Sequence, residues 1–222
     1  MTNRPILFSG PMVRALIEGR KTQTRRVLKL PPNYGHAIVT RRGLSEKRHV
    51  RLIASNDDAF DRRAPKTPET GDRLWVREAY QLPAILNTTP PRKVSSMSLV
   101  RYPANEGRDM DEDGDGNPIK LRPGIHMPRW ASRLTLVVTD VRVQRLQEIA
   151  PVDAVAEGIP RLDPKRWGHL PEVAQNGMLV SAFADLWESI NGPDAWDANP
   201  WVVATTFTVH KVKIDQMETA SC

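Results

Sequence analysis

The stretch SRLTLVVTDVRVQRL, residues 132–146, is the strongest strand signal in the chain. Leu134, Leu136 and Val138, followed by Val141 and Val143, run through it among β-branched neighbours, the composition of a half-buried strand. The segment is long enough to bend round a small barrel. Downstream, WVVATTFTVH (201–210) reads as a second long strand, and upstream RLWVRE (73–78), after the Gly71-Asp72 turn, and PILF (5–8) read as shorter ones. Ser9, Pro11 and the spacing of Met12, Val13, Leu16 and Ile17 predict a short helix stopped by Gly19. A second short helix is expected over 151–157, closed by Gly158. A longer one is expected over 176–190, where Val180, Phe183, Leu186, Trp187 and Ile190 share a face before the Asn191-Gly192 stop. Strands dominate, with a helix near each end. The expected class is therefore α+β, a curved sheet or barrel, in a single domain over 1–222, since neither an internal repeat nor a low-complexity linker divides the chain. Residues 30–70 are rich in Pro, Arg and Asp and predict one strand pair near HVRLIAS (49–55); 81–124 holds a candidate strand, SLVRYPA, and the acidic loop DMDEDGDGNP.

A length of 222 residues with 40% hydrophobic side chains buries a core without metal or disulfide staples. The single cysteine, Cys222, excludes an intrachain disulfide and a multi-cysteine zinc site, and fits a reducing compartment. With no apolar run of membrane-spanning length and no signal-peptide stretch before Arg14, the chain reads as soluble and cytoplasmic, with no membrane partner. The 32 basic and 26 acidic residues give a net charge of +6, unevenly spread: residues 1–80 carry 17 basic and 8 acidic side chains, whereas the remainder is net acidic. Arg outnumbers Lys by 23 to 9. Its planar fork grips phosphate and stacks on bases, so a polyanionic partner is expected.

The densest chemical signal inside the basic segment is GRKTQTRR, residues 19–26. Four cations and two hydroxyls in eight residues form a donor set for phosphate or a polarised carbonyl. The spacing Gly19-x-Lys21-x-x-Thr24-x-Arg26 resembles the GxKxxTxR signature of the ASCH family, a branch of the PUA-like β-barrel superfamily. ILFSGPMVRALIEG (6–19), GDRLWVRE (71–78), IHMPRWASR (125–133), DVRVQRLQEI (140–149), AEGI (156–159), LWESING (186–192) and NPWVV (199–203) agree in order. The combination is similar to the larger ASCH-like proteins of tailed phages and prophages, with 31–69 and 81–120 as family-variable insertions. The resemblance implies a PUA-like barrel with flanking helices, a cleft lined by the signature, and a site in the cytoplasm of a bacterial host. It also implies one of three activities: RNA or nucleotide binding, ribonuclease action, or amide hydrolysis of N4-acetylcytidine. In the hydrolase branch a Lys, a Thr and a Glu are catalytic, which carries over to Lys21, Thr24 and Glu78.

Two divisions of labour stay open for these residues. Lys21 takes the Thr24 proton if burial and the cations Arg20, Arg25 and Arg26 make the amine neutral; alternatively Glu78 activates water while a charged Lys21 stabilises an oxyanion. The same groups also suit binding alone, with Lys21 and Arg26 on phosphate, Thr24 on a base edge and an aromatic stacked on the base. Trp130, with His126 and Arg129 in HMPRW, is the aromatic candidate, while Trp75 and Trp187 read as core. The run Asp111-x-Asp113-x-Asp115-Gly116 starts like a calcium loop but has Arg122 where a bidentate Glu is needed, so it reads as a flexible acidic loop. No metal site and no cofactor is expected, a divalent ion entering only for a nuclease. The expected function is recognition of RNA, DNA or a modified base by the signature segment; the alternative is a hydrolase of N4-acetylcytidine-like nucleosides or of RNA.

Overall fold

The computed structural model describes residues 2–29, 34–42, 45–54, 62–63, 67–106 and 112–219. Its strands are β1 (Asn3–Leu7), β2 (Gln23–Val27), β3 (Tyr34–Arg42), β4 (Ser45–Ala54), β5 (Arg62–Arg63), β6 (Arg73–Arg77), β7 (Tyr80–Gln81), β8 (Leu121–Arg122), β9 (Thr135–Arg145) and β10 (Trp201–His210). The helices are α1 (Gly10–Ile17), α2 (Pro103–Glu106), α3 (Pro151–Ala156), α4 (Pro164–Trp167), α5 (Glu172–Asn191) and α6 (Ile214–Thr219). This is a mixed α+β protein. Five strands form a mixed sheet in the order β1-β6-β9-β10-β2, and smaller sheets are β3-β4-β5 and β7-β8. Among the described residues no helix is long and apolar enough to cross a membrane.

The chain divides into two compact units, the first from residues 1–18, 72–137 and 209–222, the second from 19–71 and 138–208. β9 changes unit where its burial pattern changes step. Leu134, Leu136 and Val138 are buried at even positions, whereas Val141 is the next fully buried valine, so the inward face switches between Val138 and Val141.

In the first unit β1 runs parallel to β6, with Asn3 opposite Arg73 and Leu7 opposite Arg77, and β6 runs antiparallel to β9. Leu74 and Val76 are buried, while Trp75 lies on the opposite face, half-buried, with the Arg77 guanidinium 5.4 Å from its ring centre. Alternation in a strand dictates this, and it corrects the reading of Trp75 as core. A second cluster gathers Tyr80, Leu82, Val94, Met127 and Ala131. SLVRYPA does not form a strand. Arg101 makes an isolated bridge to Gln81, and Pro103, which lacks an N–H, opens α2 instead.

In the second unit β10 pairs antiparallel with β2, Thr205 opposite Thr24. Its core joins Leu146, Ile149, Ala154, Ile159, Phe183, Trp187 and Val202, with α5 lying over α3. Burial of Phe183 and Trp187 contributes roughly 2–3 kcal/mol each. α5 starts at Glu172, four residues before the expected position, because Pro171 supplies its N-cap backbone and Glu172 opens its first turn. β3, β4 and β5 form the strand pairing expected in the Arg-rich excursion, extended by a third short strand.

Candidate functional site

GRKTQTRR is built by an abrupt change of direction followed by a strand. α1 ends at Ile17, and Gly19 takes φ +74, the left-handed conformation that releases the chain without a Cβ penalty. Thr22 then fixes the next segment from both sides: its N–H donates to the Ala156 carbonyl (2.8 Å), and its carbonyl accepts from the Phe207 N–H (2.9 Å). Gln23 opens β2, so most of the signature lies on a strand that sequence periodicity did not reveal.

This arrangement draws the signature inward. Lys21, Gln23, Thr24 and Arg25 are all buried, Lys21 to 1% exposure. The Lys21 Nζ donates to the Glu157 carboxylate (Oε2, 2.8 Å) and to the Glu157 main-chain carbonyl (2.7 Å). The other Glu157 oxygen accepts from Arg25 Nη1 at 3.0 Å, while Arg25 Nη2 donates to Asp153 Oδ2 at 2.9 Å. Asp153 also accepts from Arg142 Nη2 at 2.9 Å, and Gln23 accepts from Arg25 Nη1 through its own Oε1. Asp153 and Glu157 stand four residues apart on α3 and its C-cap, hence on one face. Lys21 and Arg25 likewise stand four apart, and the four charged groups interlock. The Arg25 guanidinium also lies 5.8 Å from the Phe183 ring centre.

Burial lowers the Lys21 pKa, and the Glu157 charge and hydrogen bond oppose that shift. For Asp153 burial acts to raise the pKa, but the Arg142 hydrogen bond and the Arg25 and Arg142 charges outweigh it, holding the carboxyl below its ordinary range. The two exposed cations behave differently. Arg20 reaches the Gly158 carbonyl through Nη1 (3.0 Å), and Arg26 is exposed on β2.

Glu78 belongs to the first unit, at the end of β6, and is also buried. Arg133 holds it bidentately, Nε to Oε1 at 2.9 Å and Nη2 to Oε2 at 2.8 Å, and the same guanidinium lies 4.0 Å from the Tyr102 ring centre. Tyr102 donates to the Ala131 carbonyl (2.7 Å), and burial pushes its hydroxyl up to about 12, against the Arg133 charge. His126 is exposed, and its carbonyl accepts from the Tyr80 hydroxyl at 3.2 Å. Arg129 pairs with Asp215 at 2.5 Å, and Trp130, half-buried, packs on the Tyr80–Met127 cluster. Each unit thus gathers its own share of the sequence-derived residues: Arg20, Lys21, Thr24, Arg25 and Arg26 in one, Glu78, His126, Arg129 and Trp130 in the other.

Sequence reasoning missed Asp153, Glu157, Arg142 and Arg133, the residues that hold the named ones in place. Asp153 and Glu157 left a trace as an i, i+4 acidic pair in PVDAVAEG (151–158). Among the described residues no group of three His, Cys, Asp or Glu is gathered as for a metal ion. Asp113 accepts the N–H groups of Asp115 and Asn117 and so closes its own turn, while Asp111 lies outside the described residues. No family model, no curated protein and no solved structure matches the chain.

Proposed function

We propose that the protein recognises a nucleic-acid strand or a nucleotide through the segment from Gly19 to Arg26, on a PUA-like framework of ASCH type. The observation that carries this reading is the double anchoring of the Lys21 ammonium on Glu157, interlocked with the Arg25–Asp153 pair. Buried to 1% exposure and tied to Glu157, Lys21 braces the segment, so the exposed Arg20 and Arg26 on either side stand on a fixed backbone with less ordering cost on binding. Their guanidinium groups suit a phosphate oxygen or a base carbonyl. Exposed Arg20 and Arg26 add the solvent-facing charge that attracts a polyanion, and the basic surplus of residues 1–80 extends it.

One observation favours amide hydrolysis as the second reading. Burial lowers the pKa of Lys21, the condition under which an amine acts as a base toward Thr24, three residues on.

The deciding experiment measures binding of N4-acetylcytidine and of a labelled single-stranded RNA at low salt, with product analysis in the same mixtures. Lys21→Met combined with Glu157→Gln removes both partners of the buried pair, and Arg25 keeps its ion pair with Asp153. The binding reading expects affinity for one of these ligands to fall about 10- to 100-fold in the double variant, the range of a charged hydrogen bond. Deacetylated nucleoside or cleaved RNA in the wild-type mixture, lost in the double variant and in Thr24→Val, establishes the hydrolase instead. Absence of binding and of product with every ligand rejects both.

A further inference from the structure

The outer face of β6 carries cations that no carboxylate meets. Arg73, Trp75 and Arg77 alternate with the buried Leu74 and Val76, so the three share the side of the sheet away from that core. Register extends the face on both flanks. On β1 the exposed Pro5 stands opposite Trp75 and the exposed Leu7 opposite Arg77, and on β9 Thr135 stands opposite Trp75. The Thr135 hydroxyl donates to the Val212 carbonyl at 2.9 Å, which brings the segment 211–213 alongside. At about 4.8 Å between neighbours, β1, β6 and β9 make a strip about 10 Å wide, all within the first unit.

Among the described residues Arg73, Arg77, Lys211 and Lys213 make no ion pair. The acids next to them along the chain are already engaged. Asp72 meets Arg4 at 3.6 Å, Glu78 meets Arg133 at 2.8 Å, and Asp215 meets Arg129 at 2.5 Å. Uncompensated charges of one sign on a narrow strip raise the local potential and draw a polyanion. The aromatic in their midst is held in place. Arg77 donates through Nη2 to the Ile125 carbonyl, and its guanidinium lies 5.4 Å from the Trp75 ring centre, so cation and ring form one fixed pair.

We propose that this strip binds single-stranded nucleic acid, with a base stacked at Trp75 and phosphates met by Arg73, Lys211 and Lys213. Surfaces that take single strands join a cationic track to an aromatic ring, because every base has a π face. Arg77 serves the same end, since a guanidinium plane beside the ring extends the stacking platform. The flatness of the face argues against a duplex. β6 has a paired strand on each side, so it cannot enter a major groove about 12 Å wide as a helix or a two-stranded ribbon does. An open sheet surface instead receives splayed bases. A chain of carboxylates satisfies the cations but presents no ring to Trp75 and Arg77. The strip belongs to a different unit from Lys21, and its occupancy does not rest on the reading of the signature.

The test uses the full chain and fluorescein-labelled single-stranded RNA of about 20 nucleotides and mixed sequence, beside DNA of the same sequence, titrated over a salt series by anisotropy. Trp75→Leu should weaken binding about 5- to 150-fold, the effect of one stacked base, and Trp75→Phe, which keeps a ring, should recover most of it. Arg73→Gln, Lys211→Gln and Lys213→Gln together should lower the slope of log affinity against log salt by about 0.7 for each phosphate no longer neutralised. None of the three makes an ion pair, so this variant should melt as wild type does. Wild-type affinity in Trp75→Leu overturns the proposal, as does a Phe variant that behaves like the Leu variant, or a wild-type slope in the triple variant. Tighter wild-type binding to the duplex or to poly-glutamate overturns it too, as does absence of binding to both single strands at low salt. Sheet variants that bind as wild type does, beside a weakened Lys21→Met and Glu157→Gln double variant, overturn this proposal alone. The converse pattern overturns only the reading of the signature.

Discussion

Asp153 receives hydrogen bonds from Arg25, Arg142 and Gln23, and their combined effect holds its carboxyl below the ordinary range despite burial. A carboxyl with a depressed folded-state pKa binds fewer protons when folded than when unfolded. Its stabilisation is therefore complete above the unfolded value, near 3.9, and is lost as the pH falls below it. Melting from pH 7 to pH 2 should thus drop more steeply below about pH 4 in wild type than in Asp153→Asn. At pH 7 the Asn variant should be less stable by about 2–3 kcal/mol, the scale of hydrogen bonds to a charged group. Parallel acid slopes in the two proteins would assign the sensitivity elsewhere. At this scale the sequence was half readable. Lys21, Thr24 and Arg25 stood out because they crowd one octapeptide, but Glu157 lies 136 residues from Lys21 and Asp153 lies 128 from Arg25. No local spacing records such a pairing, and the buried cations choose their carboxylates only when β2 and α3 pack.

Among the elements, those with a strong intrinsic pattern were legible. β9 and β10 carry alternating β-branched residues, and α1 and α5 carry an apolar face and a glycine stop. β2 was not, because QTRRV is polar and becomes a strand only through its ladder with Val202–Thr206. The backbone at Glu78 packs closely against Gly124. A Cβ on Gly124 would lie 2.7 Å from Leu7 Cδ1, 2.9 Å from the Glu78 carbonyl carbon and 3.0 Å from its oxygen. The backbone atoms cannot yield as a side-chain tip can. Gly124→Ala should therefore destabilise the protein by about 1–3 kcal/mol, the usual cost of overpacking, while Gly114→Ala, with open space around it, should leave the denaturant midpoint within about 0.5 kcal/mol of wild type. Equal midpoints for the two variants would mean that the Glu78 turn has room to move.

Over the whole molecule, the basic surplus lies in the N-terminal part of the sequence. Residues 1–80 carry 17 basic and 8 acidic side chains, and among the basic ones the signature's Lys21 and Arg25 serve internal carboxylates. β3, β4 and β5 fell in a stretch with weak periodicity, where the sequence predicted one strand pair and the chain forms three strands. The final residues matter more than their position suggests. Ile214 is fully buried, and the Val212 carbonyl accepts a hydrogen bond from Thr135 Oγ1 at 2.9 Å, all within the first unit. Deleting 209–222 should make residues 72–137 susceptible to brief trypsin digestion while 138–208 stay protected, read by mass spectrometry of the fragments. Uniform protection would show that the tail is dispensable. The interleaving of the two units also sets an order of birth. On the ribosome the unit containing the signature has its last residue, 208, before the other receives its closing helix, so the unit begun first is completed last. Until α6 emerges, the nascent chain carries a finished half beside an open one.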